Sequence, residues 1–262
     1  MSSGPQSLSN WPSLDPAVHR AIDHLALLFQ VYSREGLSKD WELVLTVEEQ
    51  RRIEHESVWQ LPKQLVVFAS SDAALLYHNA HDFKYFLPRL MVEALSQENE
   101  NLTSVLSYAR AVALASWPQA ERDAVAALLR AWWTQCLEQP VDFNSWPAED
   151  ALCGMALLQM DLSPVLNEWR INTGLNASLQ LVETIRILLS KDEDALILDG
   201  YWEDCPAQAG QLQAWLLSEE VFNRVQEALQ WVKRQDDRHL LEKTVQRLIL
   251  ARHATRKTDH ER

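Results

Sequence analysis

Glycine is scarce in this chain, with 6 residues among 262. Phosphate-cradling loops and the tight turns of α/β enzymes consume glycine, because a residue without Cβ reaches positive φ at little steric cost. No Gly-x-x-x-x-Gly-Lys and no Gly-x-Gly-x-x-Gly segment occurs, which disfavours nucleotide chemistry built on such loops. Gly-x-Ser-x-Gly is absent as well, and with it the nucleophile elbow of the α/β hydrolases. Cysteine is equally sparse: Cys136, Cys153 and Cys205 are odd in number and never in Cys-x-x-Cys spacing. That pattern fits buried small hydrophobes in a reducing compartment rather than a disulfide framework or a cysteine-based zinc site. No apolar run approaches the ~20 residues that span a bilayer. The first residues, Met-Ser-Ser-Gly-Pro-Gln-Ser, supply neither a basic nor an apolar leader, so the expected location is the cytoplasm and no membrane partner is expected.

Positive charge is in deficit too. The chain carries 24 Lys and Arg against 37 Asp and Glu, a formal −13 at pH 7. Phosphate backbones repel such a surface, so nucleic acid is disfavoured as the primary partner and none is expected. A basic protein partner would instead be attracted and steered. The last stretch reverses the sign: residues 230–262 hold 9 Lys and Arg against 5 Asp and Glu, leaving −17 on residues 1–229. That basic end reads as a solvated terminal helix with a frayed polar tail at 254–262.

What the chain does hold is apolar residues at helical spacing. Hydrophobic residues make up 47% of it, enough for a sizeable core, and 11 of them are tryptophan. Val18, Ile22, Leu25, Ala26, Leu28 and Phe29 share one helical face behind the start signal Asp15-Pro16. Thr46 and Glu49 form a capping box. Phe83, Phe86, Leu87, Leu90, Met91 and Leu95 predict a strong helix beginning at Asp82, with Pro88 either kinking it or marking a later start. Further helices are predicted over 103–115 and 118–137, then from Pro147 and from Ser163-Pro164, the latter closed by Gly174. The last two are placed at 218–234 and 236–253. Two short apolar runs, 65–68 and 195–198, are compatible with strand or buried helix. No fixed repeat of about 34 to 47 residues is present. The expected fold is all-α, an irregular array of about ten to twelve antiparallel helices arranged as a bundle or a HEAT-like α-solenoid. It is read as a single helical domain over 1–262, with any subdivision placed at the Pro-rich stretch 139–147.

Two clusters could carry chemistry or binding. His78-Asn79-Ala80-His81-Asp82 is similar to the His-Asp element of the metal-binding HD phosphohydrolases, whose imidazole and carboxylate ligands activate water through a divalent metal. That resemblance also implies a histidine upstream and an aspartate downstream, which spacing alone does not identify here. Asp82 is equally an N-cap. The expectation is therefore no metal and no cofactor, with His78, His81 and Asp82 as the weak candidates. Glu54-His55-Glu56 reads as a solvated helix face, since no helical Glu-x-x-His pairs accompany it. The acidic loop is the more distinctive feature: Asp192, Glu193, Asp194, Asp199, Glu203 and Asp204 surround Tyr201 and Trp202. Aromatic anchors rimmed by carboxylates suit a basic protein partner.

The run Asp82-Phe83-Lys84-Tyr85-Phe86-Leu87-Pro88-Arg89-Leu90, followed by Ala131-Trp132-Trp133, Pro164-Val165-Leu166-Asn167-Glu168-Trp169 and Trp215-Leu216-Leu217-Ser218, resembles a group of poorly characterised bacterial all-helical proteins. The resemblance covers residues 55–250. It implies kinship with small helical products encoded beside polymorphic toxins, some of which act as immunity proteins. Within the run, Arg89 reads as a buried charge in need of a carboxylate. The expected function is a non-enzymatic immunity or inhibitor protein that occludes the active site of a basic toxin domain. The alternatives are an HD-type metal-dependent hydrolase and a generic helical-repeat scaffold.

Overall fold

The computed structural model describes residues 14–37, 45–62, 65–66, 80–96, 102–111, 113–140, 147–189, 198, 200–232 and 235–260. The regular structure among them is helical, eleven α-helices and three short 3-10 turns, with no strand. Of the two ambiguous apolar runs, Leu65 and Val66 are helical and buried; 67–68 and 195–197 lie outside the described residues. No described helix is long and apolar enough to cross a membrane. The chain divides into two compact units, Met1–Trp132 and Trp133–Arg262. The division falls ahead of the stretch 139–147.

The first unit begins with α1 (Pro16–Phe29), capped as its sequence predicts: the Asp15 carboxylate accepts from the Ala17 amide at 2.6 Å, and Pro16 fills the first position. A 3-10 turn (Arg34–Gly36) follows. Helix α2 (Val47–His55) starts on the predicted capping box, with the Thr46 amide donating to Glu49 Oε2 at 2.8 Å. Helix α3 (Ala80–Leu95) is the centre of the unit and packs against α1, α4 (Leu102–Ala111) and the Arg34–Gly36 turn. It is buried on nearly every side, the signature of a core helix rather than a surface one. Fully burying Phe83, Leu87, Leu90 and Met91 stabilises by about 2 to 3 kcal/mol each.

Two expectations about α3 need correction. The helix opens at Ala80, so Asp82 sits buried in its first turn rather than capping it. Pro88 does not mark a start; it lies inside a continuous helix and deprives the Lys84 carbonyl of its usual donor. Further on, α4 stops at Ala111, short of the predicted 115, because Ala113 adopts a left-handed φ of 58° and leads into a 3-10 turn (Leu114–Ser116). Helix α5 (Gln119–Glu138) then begins straight after Pro118.

In the second unit, α6 (Pro147–Leu157) and α7 (Ser163–Ile171) start at their predicted prolines. Gly174 does not close α7. It is the N-cap of α8 (Leu175–Leu188), with an extended backbone at φ −58° and ψ 151°. Helix α8 packs against α6, α10 (Glu219–Trp231) and α11 (Gln235–His260) and is the unit's buried centre. Helix α9 (Pro206–Leu216) follows a 3-10 turn (Gly200–Asp204). Tryptophans fill the space around α7: Trp133 meets Trp169 edge-on at 4.9 Å, and Trp169 stacks on Trp215 at 5.4 Å. The Trp169 indole donates to the Ala177 carbonyl at 2.8 Å, while Trp133 Nε1 is buried without a hydrogen bond. Arg224 closes the C-terminal end of α7, donating to the Trp169 and Asn172 carbonyls and to Ser178 Oγ. Helix α11 runs on to His260, through the segment read as a tail; nothing between His253 and His260 breaks a helix.

Candidate functional site

Among the described residues of the first unit, a group of interacting polar side chains forms where α1 gives way to its turn. The Tyr32 hydroxyl donates to Glu121 Oε1 at 2.5 Å and accepts from Lys84 Nζ at 2.9 Å. Lys84 Nζ lies 2.7 Å from Glu121 Oε2, and both side chains are only 8% exposed. That approach is an ion pair rather than a well-directed hydrogen bond, since Oε2 meets no donor at good angles. The ammonium also sits 4.5 Å from the Trp117 ring centre and 4.9 Å from that of Tyr32. Burial, then the bond to Glu121, raises the Tyr32 phenol above its ordinary pKa, against the opposing pull of Lys84. The buried Lys84 charge is thus neutralised by a carboxylate from α5 and hydrogen-bonded by a phenol that follows α1.

His81 is built into the same corner. Its Nε2 lies 2.9 Å from the Ser33 carbonyl, which makes Nε2 the protonated nitrogen, and its ring meets Tyr32 edge-on at 5.4 Å. A Cβ on Gly36 would stand 2.4 Å from that Nε2, so this close approach is where glycine is required. His81 therefore ties α3 to the turn beyond α1. His78 lies outside the described residues, Asp82 is buried, and among the described residues no three His, Cys, Asp or Glu side chains converge as metal ligands.

Beside this corner is a cavity of about 520 Å³, within the range of about 300 to 1,000 Å³ of small-molecule sites. Phe29 is its buried floor; Tyr32, Trp59 and Tyr85 are half-buried walls; Leu27, 61% exposed, stands at the lip. Asp23 and Gln30 flank Leu27 on the same face of α1. Arg34 also lines the cavity. Its Nη1 and Nη2 donate to the Glu54 and Glu56 carbonyls at the C-terminal end of α2, where a cation meets the helix dipole favourably.

The acidic loop is only partly within the described residues, since Asp192, Glu193, Asp194 and Asp199 lie outside them. Tyr201, Glu203 and Asp204 are exposed on the 3-10 turn Gly200–Asp204. Trp202 is not a surface anchor: it is 3% exposed, and its indole donates to Glu149 Oε1 at 2.7 Å. All three cysteines are buried, and none is in a disulfide. Burial, reinforced by Asp150 beside Cys136 and Glu149 beside Cys153, pushes both thiols up, the reverse of what a nucleophilic thiolate needs. Sequence reasoning did not find Tyr32, Trp59 or Glu121. Lys84 carried a signal, a cation amid an apolar helical face, and so did Arg89, which pairs with Glu93 one turn on at 2.5 Å.

Compared with known proteins, the chain matches no family model, no curated protein and no solved structure.

Proposed function

We propose that this chain is a non-enzymatic protein-binding module that neutralises a basic, toxin-type partner by covering its active site. The observation that supports this reading is where the charges end. Among the described residues up to 232, every lysine and arginine except Arg20 has a partner. Lys84, Arg89 and Arg186 are paired with buried or nearly buried glutamates. Arg51, Arg52 and Arg170 hold glutamates at the surface, and Arg34, Arg122 and Arg224 are bound to backbone carbonyls. Arg110 and Arg130 are engaged as well. The exposed carboxylates of Asp23, Glu35, Glu54, Glu138, Glu203 and Glu219, by contrast, hold no hydrogen bond or ion pair among the described residues. These described carboxylates are thus presented outward, where they would steer a basic partner and speed its association.

The test is purification of the tagged full chain from its native lysate at low and at moderate salt, followed by co-expression with whatever is captured. The expected result is one near-stoichiometric basic protein, toxic when expressed alone and harmless beside this chain. A captured protein equally harmful with and without it, or the absence of any basic protein at low salt, would overturn the reading.

A further inference from the structure

We infer that the cavity beside α1 is the anchor site for an arginine-bearing segment of that basic partner, an inference that rests on the reading above and names the surface that serves it. The walls supply what a guanidinium takes: the rings of Tyr32, Trp59 and Tyr85 for stacking, the Asp23 carboxylate for charge and the Gln30 amide oxygen as acceptor. Asp23 and Gln30 have no side-chain partner among the described residues, and Tyr85, whose ring meets Phe86 edge-on at 4.9 Å, holds no side-chain hydrogen bond there, so their polar groups are available to a ligand. Arg34 is the cation among the lining residues; its two terminal nitrogens hold the Glu54 and Glu56 carbonyls, while its charge remains and its Nε is buried without a hydrogen bond. Lys84, behind Tyr32, is buried and held by Glu121.

The surroundings add two more carboxylates, with Arg20, unpaired among the described residues and one turn before Asp23 on α1, as an opposing charge. Glu35 follows Arg34 in the turn, and Glu54 provides the carbonyl that Arg34 binds; both carboxylates are exposed and unpaired among the described residues. Arg51 and Arg52 of α2 are matched by Glu48 and Glu56 and do not offset them. Leu27, at 61% exposure, adds an apolar lip on α1, the kind of contact that excludes water around an inserted anchor. A volume of about 520 Å³ holds an arginine together with the chain flanking it.

The experiment uses the full chain and two dye-labelled peptides of equal length, hexa-arginine and hexa-lysine, followed by fluorescence anisotropy at low salt. Hexa-arginine binds the native protein more tightly than hexa-lysine, because a guanidinium stacks on rings where an ammonium remains hydrated. Asp23→Lys, a change at an exposed helix position that leaves folding intact, weakens hexa-arginine at least tenfold. Glu219→Lys, the same charge change at a residue that does not line the cavity, weakens it less than threefold. Tyr85→Leu removes the preference for arginine over lysine. Equal losses in Asp23→Lys and Glu219→Lys would overturn the cavity assignment and leave the basic-partner reading standing, since a diffuse acidic surface would then account for binding. Absence of binding to the native protein would also overturn the assignment. The basic-partner reading then stands or falls separately on whether co-expression relieves a partner's toxicity.

Discussion

Removing either member of the Lys84–Glu121 pair is expected to destabilise the first unit far more than removing both. In Lys84→Met, the Glu121 carboxylate keeps the Tyr32 hydroxyl but loses its counter-ion in a site only 8% exposed. In Glu121→Leu, the ammonium retains the Trp117 and Tyr32 rings, 4.5 and 4.9 Å away, but no opposite charge at contact distance. A buried charge stranded in this way costs about 3 to 5 kcal/mol. The double variant strands neither, and both replacements are apolar. Its remaining cost is the half-buried Tyr32 hydroxyl left without partners, about 1 to 2 kcal/mol.

The double variant should therefore fall short of the sum of the singles by at least about 2 kcal/mol, the size expected for residues in direct contact. Urea unfolding followed by tryptophan fluorescence and by far-ultraviolet circular dichroism reads this out. The chain contains two compact units, so the two probes must be compared before a single transition is fitted. The coupling should also persist at 1 M salt, which removes surface pairs but not buried ones. A double variant as unstable as the sum of the singles would mean that Lys84 and Glu121 do not meet in the folded protein, and the description of this corner would fail with it.

Three further outcomes follow from neighbouring geometry. Gly36→Ala should destabilise by about 1 to 3 kcal/mol, because its methyl would meet the His81 ring, and His81→Ala should remove most of that cost; denaturant midpoints of the four proteins decide it. Gln159, held at a left-handed φ of 56° by bonds from its own amide to the Ala156 carbonyl and from the Met160 amide to that of Met155, should yield about 0.5 to 1 kcal/mol of added stability when changed to Gly, read as a rise in melting temperature. The Tyr32 phenol is raised in the folded protein, so its stabilising contribution is present below the unfolded value of 10.0 and lost as pH climbs through the folded one. Stability should fall more steeply above pH 10 in the native protein than in Tyr32→Phe, measured by urea titration at pH 9 and 10.5.

How much of this was legible in the sequence depended on how far apart the cooperating residues lie. Asp15 with Pro16, and Thr46 with Glu49, announce their helices because each signal is complete within a few residues. The Arg89–Glu93 pair is nearly as local: the buried arginine demanded a carboxylate, and the next turn supplied it. Lys84 made the same demand, but its answer came from Glu121 and from Tyr32, 52 residues earlier, and no periodicity encodes that. The breaks at Ala113 and Gln159 were invisible for a different reason: a left-handed residue other than glycine leaves no compositional trace. Trp202 misled because acidic neighbours suggest solvent, whereas Glu149, 53 residues away, accepts its indole hydrogen and draws it inside.

The candidate binding site stands at the far end of that scale. Tyr32, Trp59 and Tyr85 come from three separate stretches and share no spacing, so only the folded chain gathers them at one cavity. The charge is the exception, since a surplus of −13 is a property of the whole chain and needs no folding to be counted. What folding adds is its disposition. If the buried pairs had consumed cations and carboxylates evenly at random, leftover charges of both signs would remain on the surface and neutralise one another locally. Instead, among the described residues before 232 Arg20 is the cation with no partner of any kind, and Arg34 and Arg224 spend their donors on backbone carbonyls, while exposed unpaired carboxylates recur from Asp23 to Glu219. Among the described residues those carboxylates are exposed, and one of them, Asp23, lines the aromatic-walled cavity itself.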